Sequence, residues 1–228
     1  MVPDGLFDGY MIKDNQDLKE MFQNCISLEY IPDNVFYNLV PLSDIYFTYG
    51  LNGFCLQCSS LKKLPKGLMN DLSKYGTINS IYDSFYGCRS ITEIPQGFFD
   101  SLHFCTNFKS TFWGCSSLEY IPDDLFANCY AITDCTEMFL ECSNLRSDKI
   151  FYVHVKDDTM DEEVPIFDYV VDPKYKEFRE KYGAKTPKFY GMLYRADPEK
   201  ITWLRSEAEK RGWGDGGDMD PLGGRHLP

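Results

Sequence analysis

One short pattern recurs along this chain and constrains its fold more than any other feature. The pattern is Phe-x-x-Cys-x-Ser-Leu-x-x-Ile-Pro, and its first full copy occupies residues 22–32. Four further copies begin at Cys55, Phe85, Phe112 and Phe139, and the anchor cysteines of successive copies are 33, 30, 27 and 27 residues apart. Self-similarity at such a period predicts stacked units, because each unit can bury its apolar side chains only against its neighbours.

Each copy also predicts local structure. The proline of the Leu-x-x-Ile-Pro segment cannot donate to a hydrogen-bond ladder, so the segment is predicted to be a short strand that the proline ends. Upstream of each anchor cysteine, apolar residues recur at intervals of 3 and 4, as in Ile78, Ile81 and Phe85, which fits either a helical face or a pair of tight turns. The fifth copy places Asp148 and Lys149 where the others have an apolar residue and proline, so the array is predicted to end there.

The sequence therefore predicts an α+β fold in three parts. Residues 1–149 are expected to form a leucine-rich-repeat-like solenoid of about five short-strand coils. Residues 150–212 are expected to form a small α+β unit that caps the open end of the solenoid, and residues 213–228 a glycine-rich docking tail.

The elements of the capping unit are predicted from residue type. Residues 150–155, 164–171 and 188–195 are rich in β-branched and aromatic residues and are predicted to be strands, with the acidic run 157–163 as a solvated loop. Two Asp-Pro pairs, the first at residues 172–173 and the second at 197–198, are typical helix starts. The two helices are predicted to stop at Gly183 and Gly212.

The repeat resembles the BspA-type leucine-rich repeats, with copies such as FWGCSSLEYIPDDLFANC and FYGCRSITEIPQGFFD. The resemblance covers roughly residues 3 to 146, and five aligned copies make it specific. Proteins with these repeats are surface adhesins of gut and oral bacteria or virion and tail proteins of phages that infect gut bacteria. The resemblance therefore implies recognition of a protein or a cell surface.

The sequence has no signal peptide, no lipid-anchoring cysteine near its start and no wall-anchoring tail. We therefore expect a phage virion or tail-associated component, made in a reducing cytoplasm. A bacterial surface adhesin is the alternative if the chain is a fragment of a secreted protein. A structural subunit that docks into an assembly through its ends is a second alternative.

Charge and motifs narrow the function classes. The formal net charge of −12 opposes binding to phosphate backbones, so nucleic acid is not an expected partner, and no apolar stretch is long enough to span a bilayer. The sequence signatures of acyl transfer, phosphoryl transfer, dinucleotide binding and zinc proteolysis do not occur. Because His103, His154 and His226 are far apart in sequence, no histidine-assisted nucleophile is indicated. The expected protein is not an enzyme and needs no cofactor.

The repeat frame accounts for all nine cysteines: five hold the anchor slot, Cys55 holds the slot that is phenylalanine in the other copies, and Cys105, Cys129 and Cys135 fall where other copies mostly carry Ile, Leu, Phe or Tyr. Free cysteine behaves as a small buried hydrophobe, which fits a reducing compartment. A zinc site at Cys55-x-x-Cys58 is the alternative, but it lacks a second ligand pair. A calcium site at Asp215, Asp218 and Asp220 lacks the EF-hand spacing, so no metal is predicted.

A candidate binding face follows from the two variable residues inside each predicted strand. These residues line up from coil to coil on the exposed side, and they are Glu29, Tyr30, Lys62, Lys63, Thr92, Glu93, Glu119 and Tyr120. Tyr30 and Tyr120 are the strongest candidates for contact with a protein or a cell-surface glycan. The alternative is an ordinary polar strand face.

The last segment is a second candidate for contact. It is too rich in glycine to order itself unaided, so either the cap or a neighbouring subunit is expected to hold it. The residues proposed for assembly contacts are Trp213, Asp215, Asp218, Asp220 and Arg225.

Overall fold

The structure is a computed structural model that describes residues 1–12, 18–41, 47–195 and 197–225. Much of the described chain is in turns, and its regular elements are short. In chain order they are β1 (Met11–Ile12), β2 (Val40–Pro41), β3 (Phe47–Gly50), α1 (Leu68–Ser73), β4 (Gly76–Ser80), β5 (Tyr152–Lys156), β6 (Asp161–Pro165), α2 (Ile166–Tyr169), the 3-10 turn Pro173–Tyr175, α3 (Lys176–Lys181) and α4 (Leu204–Arg211).

The strands form three two-stranded sheets within the described residues. β1 pairs with β2, and β3 with β4, in parallel, whereas β5 and β6 are antiparallel with Tyr152 opposite Pro165. In the Leu-x-x-Ile-Pro segments the expected strands occur only as isolated parallel bridges, such as Glu93 to Tyr120 and Tyr120 to Arg146.

The apolar residues upstream of each cysteine lie in tight turns, not on a helix. Each copy contains two residues with positive φ, four positions apart, a conformation that ends any right-handed helix. The pairs are Glu20 with Asn24, Gly53 with Gln57, Asp83 with Gly87, Ser110 with Gly114, and Glu137 with Glu141. Because most of these residues carry a Cβ, the turns need support from neighbouring copies.

A backbone ladder gives that support. The N–H groups of Phe85 and Gly87 donate to the carbonyls of Thr111 and Trp113 in the next copy, at 2.9 and 2.7 Å. The anchor thiol donates back: Cys115 Sγ lies 3.2 Å from the Phe85 carbonyl. The same thiol bond recurs from the anchor cysteines 58, 88 and 142. A cysteine in this position therefore both fills the core and satisfies a backbone acceptor.

Aromatic rings form the centre of the core. Phe85, Phe112 and Phe139 are fully buried and stack in sequence, with ring centroids 5.5 and 5.6 Å apart. Eight of the nine cysteines are buried beside them, and Cys25 is exposed. Each copy thus buries its aromatic ring between those of its neighbours.

The ladder continues past residue 149. The N–H of Phe139 donates to Met192 at 2.9 Å, and the N–H of Gly191 donates to Asp220 at 2.9 Å. A parallel bridge from Ser147 to Ile201 extends the other side of the stack. Residues 188–193 and 218–222 therefore add two further levels to the ladder, with the β5–β6 hairpin, α2 and α3 inserted before them.

The structure corrects two predictions of strands and one of a loop, because residues 161–163 of the predicted acidic loop belong to β6, and it confirms both helices. Residues 188–195 form turns because Gly191 and Arg195 have positive φ, and residues 166–169 form α2 instead of continuing β6. The first Asp-Pro pair opens the 3-10 turn that leads into α3, with the Asp172 side chain capping it. Helix α4 ends at Gly212, which is left-handed, but it begins at Leu204, later than its Asp-Pro signal.

Candidate functional site

All eight residues of the predicted binding face are exposed. Parallel backbone bonds align them from copy to copy: the N–H of Lys62 donates to Glu29 at 3.1 Å, and the N–H of Glu119 donates to Thr92 at 2.9 Å. No backbone hydrogen bond joins residues 62–64 to residues 92–94, all of which lie in the described part of the chain. The backbone bonds of the face are therefore interrupted between the second and third copies, although the Ser90 hydroxyl beside the face donates to the Ser59 carbonyl at 2.7 Å.

An open groove of about 450 Å³ lies between the Leu-x-x-Ile-Pro segments of the second and third copies. Three of the predicted residues, Lys63, Glu93 and Tyr120, contribute to its lining. Tyr120 is the aromatic residue among the described residues that line this groove, and 56% of its surface is exposed. The other lining residues are Asp33, Leu64, Lys66, Ile94, Pro95, Gln96, Pro122, Asp123 and Asp124.

Asp124 is the lining residue with an unmet hydrogen-bonding requirement. Its Oδ2 accepts from the Gln96 amide at 3.1 Å. Its Oδ1 is buried and has no hydrogen-bond partner among the described residues. A buried acceptor without a donor costs about 1–3 kcal/mol. Because this oxygen has almost no accessible surface, a ligand donor reaches it only if the groove wall moves.

The groove carries both signs of charge. Its carboxylates are on Asp33, Glu93, Asp123 and Asp124, and its ammonium groups are on Lys63 and Lys66. Lys149 lies 3.0 Å from Asp123, and this hydrogen bond and charge raise the pKa of the Lys149 ammonium. The acidic side is therefore partly neutralised, whereas the two lysines face solvent.

The remaining predicted residues lie beside the groove without lining it. Glu29 and Lys62 form an exposed ion pair at 2.6 Å, and the Lys62 hydrogen bond lowers the pKa of the Glu29 carboxyl. Such exposed pairs stabilise proteins by little. Tyr30 is exposed, and its carbonyl accepts from the N–H of Val2 at 3.2 Å. Thr92 and Glu119 meet only through their backbones.

Sequence reasoning missed the polar residues that follow the proline of each copy. Asp33, Lys66, Gln96 and Asp123 occupy the position directly after proline in four successive copies, and all four line the groove. The alignment that selected the strand residues applies equally to this position. The residue after proline is polar in all four copies, and this pattern could have identified the position as part of an exposed surface.

The predicted assembly residues of the tail are held by the chain itself. The Asp220 carboxylate is buried and accepts from the N–H groups of Gly216, Leu222 and Gly224 at 2.8 to 2.9 Å. Trp213 is half-buried and meets the Phe167 ring edge-on at 4.7 Å.

Two aspartates and an arginine complete this set. Asp215 accepts from the N–H of Gly217 at 2.9 Å, and Asp218 accepts through its carbonyl from the N–H of Phe189 at 2.6 Å. Arg225 donates its N–H to Leu222 at 3.2 Å. The tail was expected to be held either by the cap or by a neighbouring subunit. Residues 189–193 of the same chain bond to its described part. Residues 226–228 lie outside the described residues.

The two histidines in the described part of the chain do not line the groove. His103 stacks on Tyr130 with ring centroids 5.3 Å apart, and His154 lies 2.7 Å from Asp161. His226 lies outside the described residues. In the described ranges, no cluster of three or more His, Cys, Asp or Glu side chains could hold a metal ion.

Among the helices that the structure describes, none is both long enough and apolar enough to cross a membrane. Comparison of the chain with protein-family models, curated proteins and solved structures finds no match.

Proposed function

We propose that this chain is a non-enzymatic α+β repeat protein, a leucine-rich-repeat-like solenoid, that recognises a protein or a cell-surface glycan through its groove. The observation that carries the proposal is the groove itself, which Tyr120, Lys63 and Asp124 line together. An exposed aromatic ring in a groove lined by charged side chains supports a recognition role, because folding does not require that ring to be exposed.

The groove favours a ligand that brings hydrogen-bond donors and an apolar face. The carboxylates of the groove lining accept hydrogen bonds from donors such as a sugar hydroxyl or a lysine ammonium of a partner protein. The Tyr120 ring provides a surface on which the apolar face of a sugar or an aliphatic side chain packs. The exposed amines of Lys63 and Lys66 bind carboxylates, so acidic glycans and acidic protein segments are within its range.

The biological setting that we propose rests on the resemblance to BspA-type repeats. It is a virion or tail-associated component of a phage that infects gut bacteria, with a bacterial surface adhesin as the alternative. The structural-subunit alternative draws less support, because the described tail residues make their contacts within the chain.

The test is binding of the fluorescently labelled chain to a glycan array and, by flow cytometry, to a panel of gut bacterial cells. Tyr120→Ala removes an exposed ring and leaves the core intact, and we expect it to weaken binding about tenfold. Lys63→Ala tests the basic side of the groove. Tyr82→Ala is the matched control, since Tyr82 is an exposed tyrosine of the third copy outside the groove lining.

Loss of binding with Tyr120→Ala but not with Tyr82→Ala supports the groove. Binding that both variants retain places recognition elsewhere on the chain. A chain that binds no glycan and no cell, but co-assembles with a larger particle, supports the structural-subunit alternative instead.

A further inference from the structure

A second pocket lies between the glycine-rich segment and the ends of α2 and α4. Its volume is about 470 Å³, which is within the size range of small-molecule sites. In the described part of the chain it shares no lining residue with the groove. The pocket is therefore a separate site, and neither the repeat pattern nor the groove explains it.

Much of the pocket wall is apolar. The rings of Trp213 and Phe167 meet edge-on with their centroids 4.7 Å apart, so they form a corner. Phe167 is buried and Trp213 is half-buried, so Trp213 is the ring that a ligand can reach more easily. Met219 is half-buried and Val171 is 51% exposed, and both add apolar surface to the lining. A ligand that fills this pocket therefore needs an apolar stem to replace water at these side chains.

The positive charge in the lining is already neutralised. Arg211 Nη1 lies 2.7 Å from an Asp168 oxygen, and Arg211 Nε lies 2.7 Å from a Glu207 oxygen. The remaining nitrogen, Nη2, is buried and therefore offers no donor to a ligand. This guanidinium holds α2 to α4 and does not attract an anion into the pocket.

The exposed charges of the lining are negative. Asp215 and Asp218 are exposed, whereas Asp220 is buried and its carboxylate accepts three backbone N–H groups. Two exposed carboxylates thus stand beside an apolar wall, where charge attraction is less screened than in bulk water. The pocket is complementary to a cation and repels an anion.

We propose that this pocket binds an organic ammonium ion, which is a positively charged nitrogen on an aliphatic or aromatic stem. The stem packs against Trp213 and Met219, and the ammonium group lies beside Asp215 and Asp218. A cation close to the face of an indole ring gains further attraction from the ring. A free amine and the lysine side chain of a protein both have this chemistry.

The test follows the signal of Trp213 by fluorine NMR in the full chain labelled with fluorotryptophan. Trp213→Phe identifies that signal among those of the three tryptophans. The probes are hexylammonium, hexanol and hexanoate, which share one stem and differ in charge, at constant ionic strength. We expect hexylammonium to bind with a Kd of about 1–10 mM, as its small size allows. Hexanol should bind about tenfold more weakly, because it lacks the attraction to two carboxylates, and hexanoate more weakly still.

Paired variants locate the charge that selects the ligand. Asp215→Asn combined with Asp218→Asn removes both charges and keeps the size of both side chains. It should weaken hexylammonium binding about tenfold and leave hexanol binding unchanged, which shows that the pocket is intact. Asp4→Asn combined with Asp148→Asn is the matched control, because both aspartates are exposed, lie outside the lining and change the net charge equally. This control should bind like the parent chain.

Equal affinity for hexylammonium and hexanol overturns the proposal, and so does an ammonium affinity that the Asp215 and Asp218 substitutions leave unchanged. A Trp213 signal that does not move up to about 50 mM hexylammonium also overturns it. If the substitutions weaken hexanol binding as well, the parent chain decides, because its ammonium affinity must fall as ionic strength rises and its hexanol affinity must not.

A lysine peptide distinguishes the two sources of the ligand. Binding of acetyl-Gly-Lys-Gly-amide as tightly as hexylammonium assigns the pocket to a lysine side chain of a protein. Binding of hexylammonium without the peptide assigns it to a free amine.

Discussion

Replacing Asp220 with alanine should open the glycine-rich segment while the repeats stay folded. The buried carboxylate accepts three backbone N–H groups, and hydrogen bonds to charged groups contribute about 1.5–3 kcal/mol each. Gly216 and Gly224 are exposed, so water replaces the carboxylate at their N–H groups. The N–H of Leu222 is bonded at a buried residue and loses its partner outright.

We therefore expect a local destabilisation of about 2–4 kcal/mol, which raises the open population of residues 213–225 by roughly 30- to 700-fold. Hydrogen exchange by mass spectrometry measures this directly, with the peptide around Phe112 as the internal reference for the repeats. Asp215→Ala is the control in the same segment, because Asp215 is exposed and accepts one bond. If exchange in residues 213–225 is as slow in Asp220→Ala as in the parent chain, the carboxylate does not hold the segment and the reasoning is wrong.

Three further predictions concern the thiols, the aromatic core and the ion pair between Asp168 and Arg211. In the native chain a thiol reagent such as DTNB should modify Cys25 alone among the nine cysteines, since the other eight are buried; rapid release of more than one equivalent would contradict this. Phe112→Ala should lower the free energy of unfolding by about 3–5 kcal/mol in urea titration, whereas Phe104→Ala, at a half-exposed ring, should cost under about 1.5 kcal/mol. The Arg211 hydrogen bond lowers the pKa of the Asp168 carboxyl, so this ion pair stabilises the fold above the ordinary carboxyl pKa of about 4 and the stabilisation is lost as pH falls through the lowered pKa. Asp168→Asn should therefore reduce the drop in urea midpoint between neutral pH and about pH 3. An unchanged drop would show that the pair does not contribute.

The repeat was predictable because its signal is a spacing. The anchor cysteines and aromatic residues each recur in register, so the sequence predicts which residues are buried together, and Phe85, Phe112 and Phe139 are stacked. The choice between a helix and two turns was not predictable from that spacing. The positive-φ residues that decide it include Ser110 and Glu137, and nothing in their residue types marks them as left-handed.

The extension of the ladder beyond residue 149 was hidden for a different reason. The tetrapeptide Phe-Tyr-Gly-Met at residues 189–192 resembles Phe-Tyr-Gly-Cys at residues 85–88, but the two do not occupy the same place in the coil. The hydrogen bonds align Leu193, not Phe189, with Phe139 and hence with Phe85. An insertion of the β5–β6 hairpin and two short helices also separates this level from the fifth copy, so neither spacing nor residue identity predicted it.

The groove was half predictable, and the reason bears on how such faces are found. Lys63, Glu93 and Tyr120 followed from one rule, that variable residues at one slot of a repeat align on one exposed surface. The same rule at the slot after proline selects Gln96, and through its amide the Asp124 carboxylate. What the rule cannot give is the opening between the second and third copies. It depends on the backbone bonds between Leu-x-x-Ile-Pro segments, which are made at the other interfaces but not between residues 62–64 and 92–94. The groove is therefore set by where the backbone bonds between Leu-x-x-Ile-Pro segments are missing as much as by which residues vary.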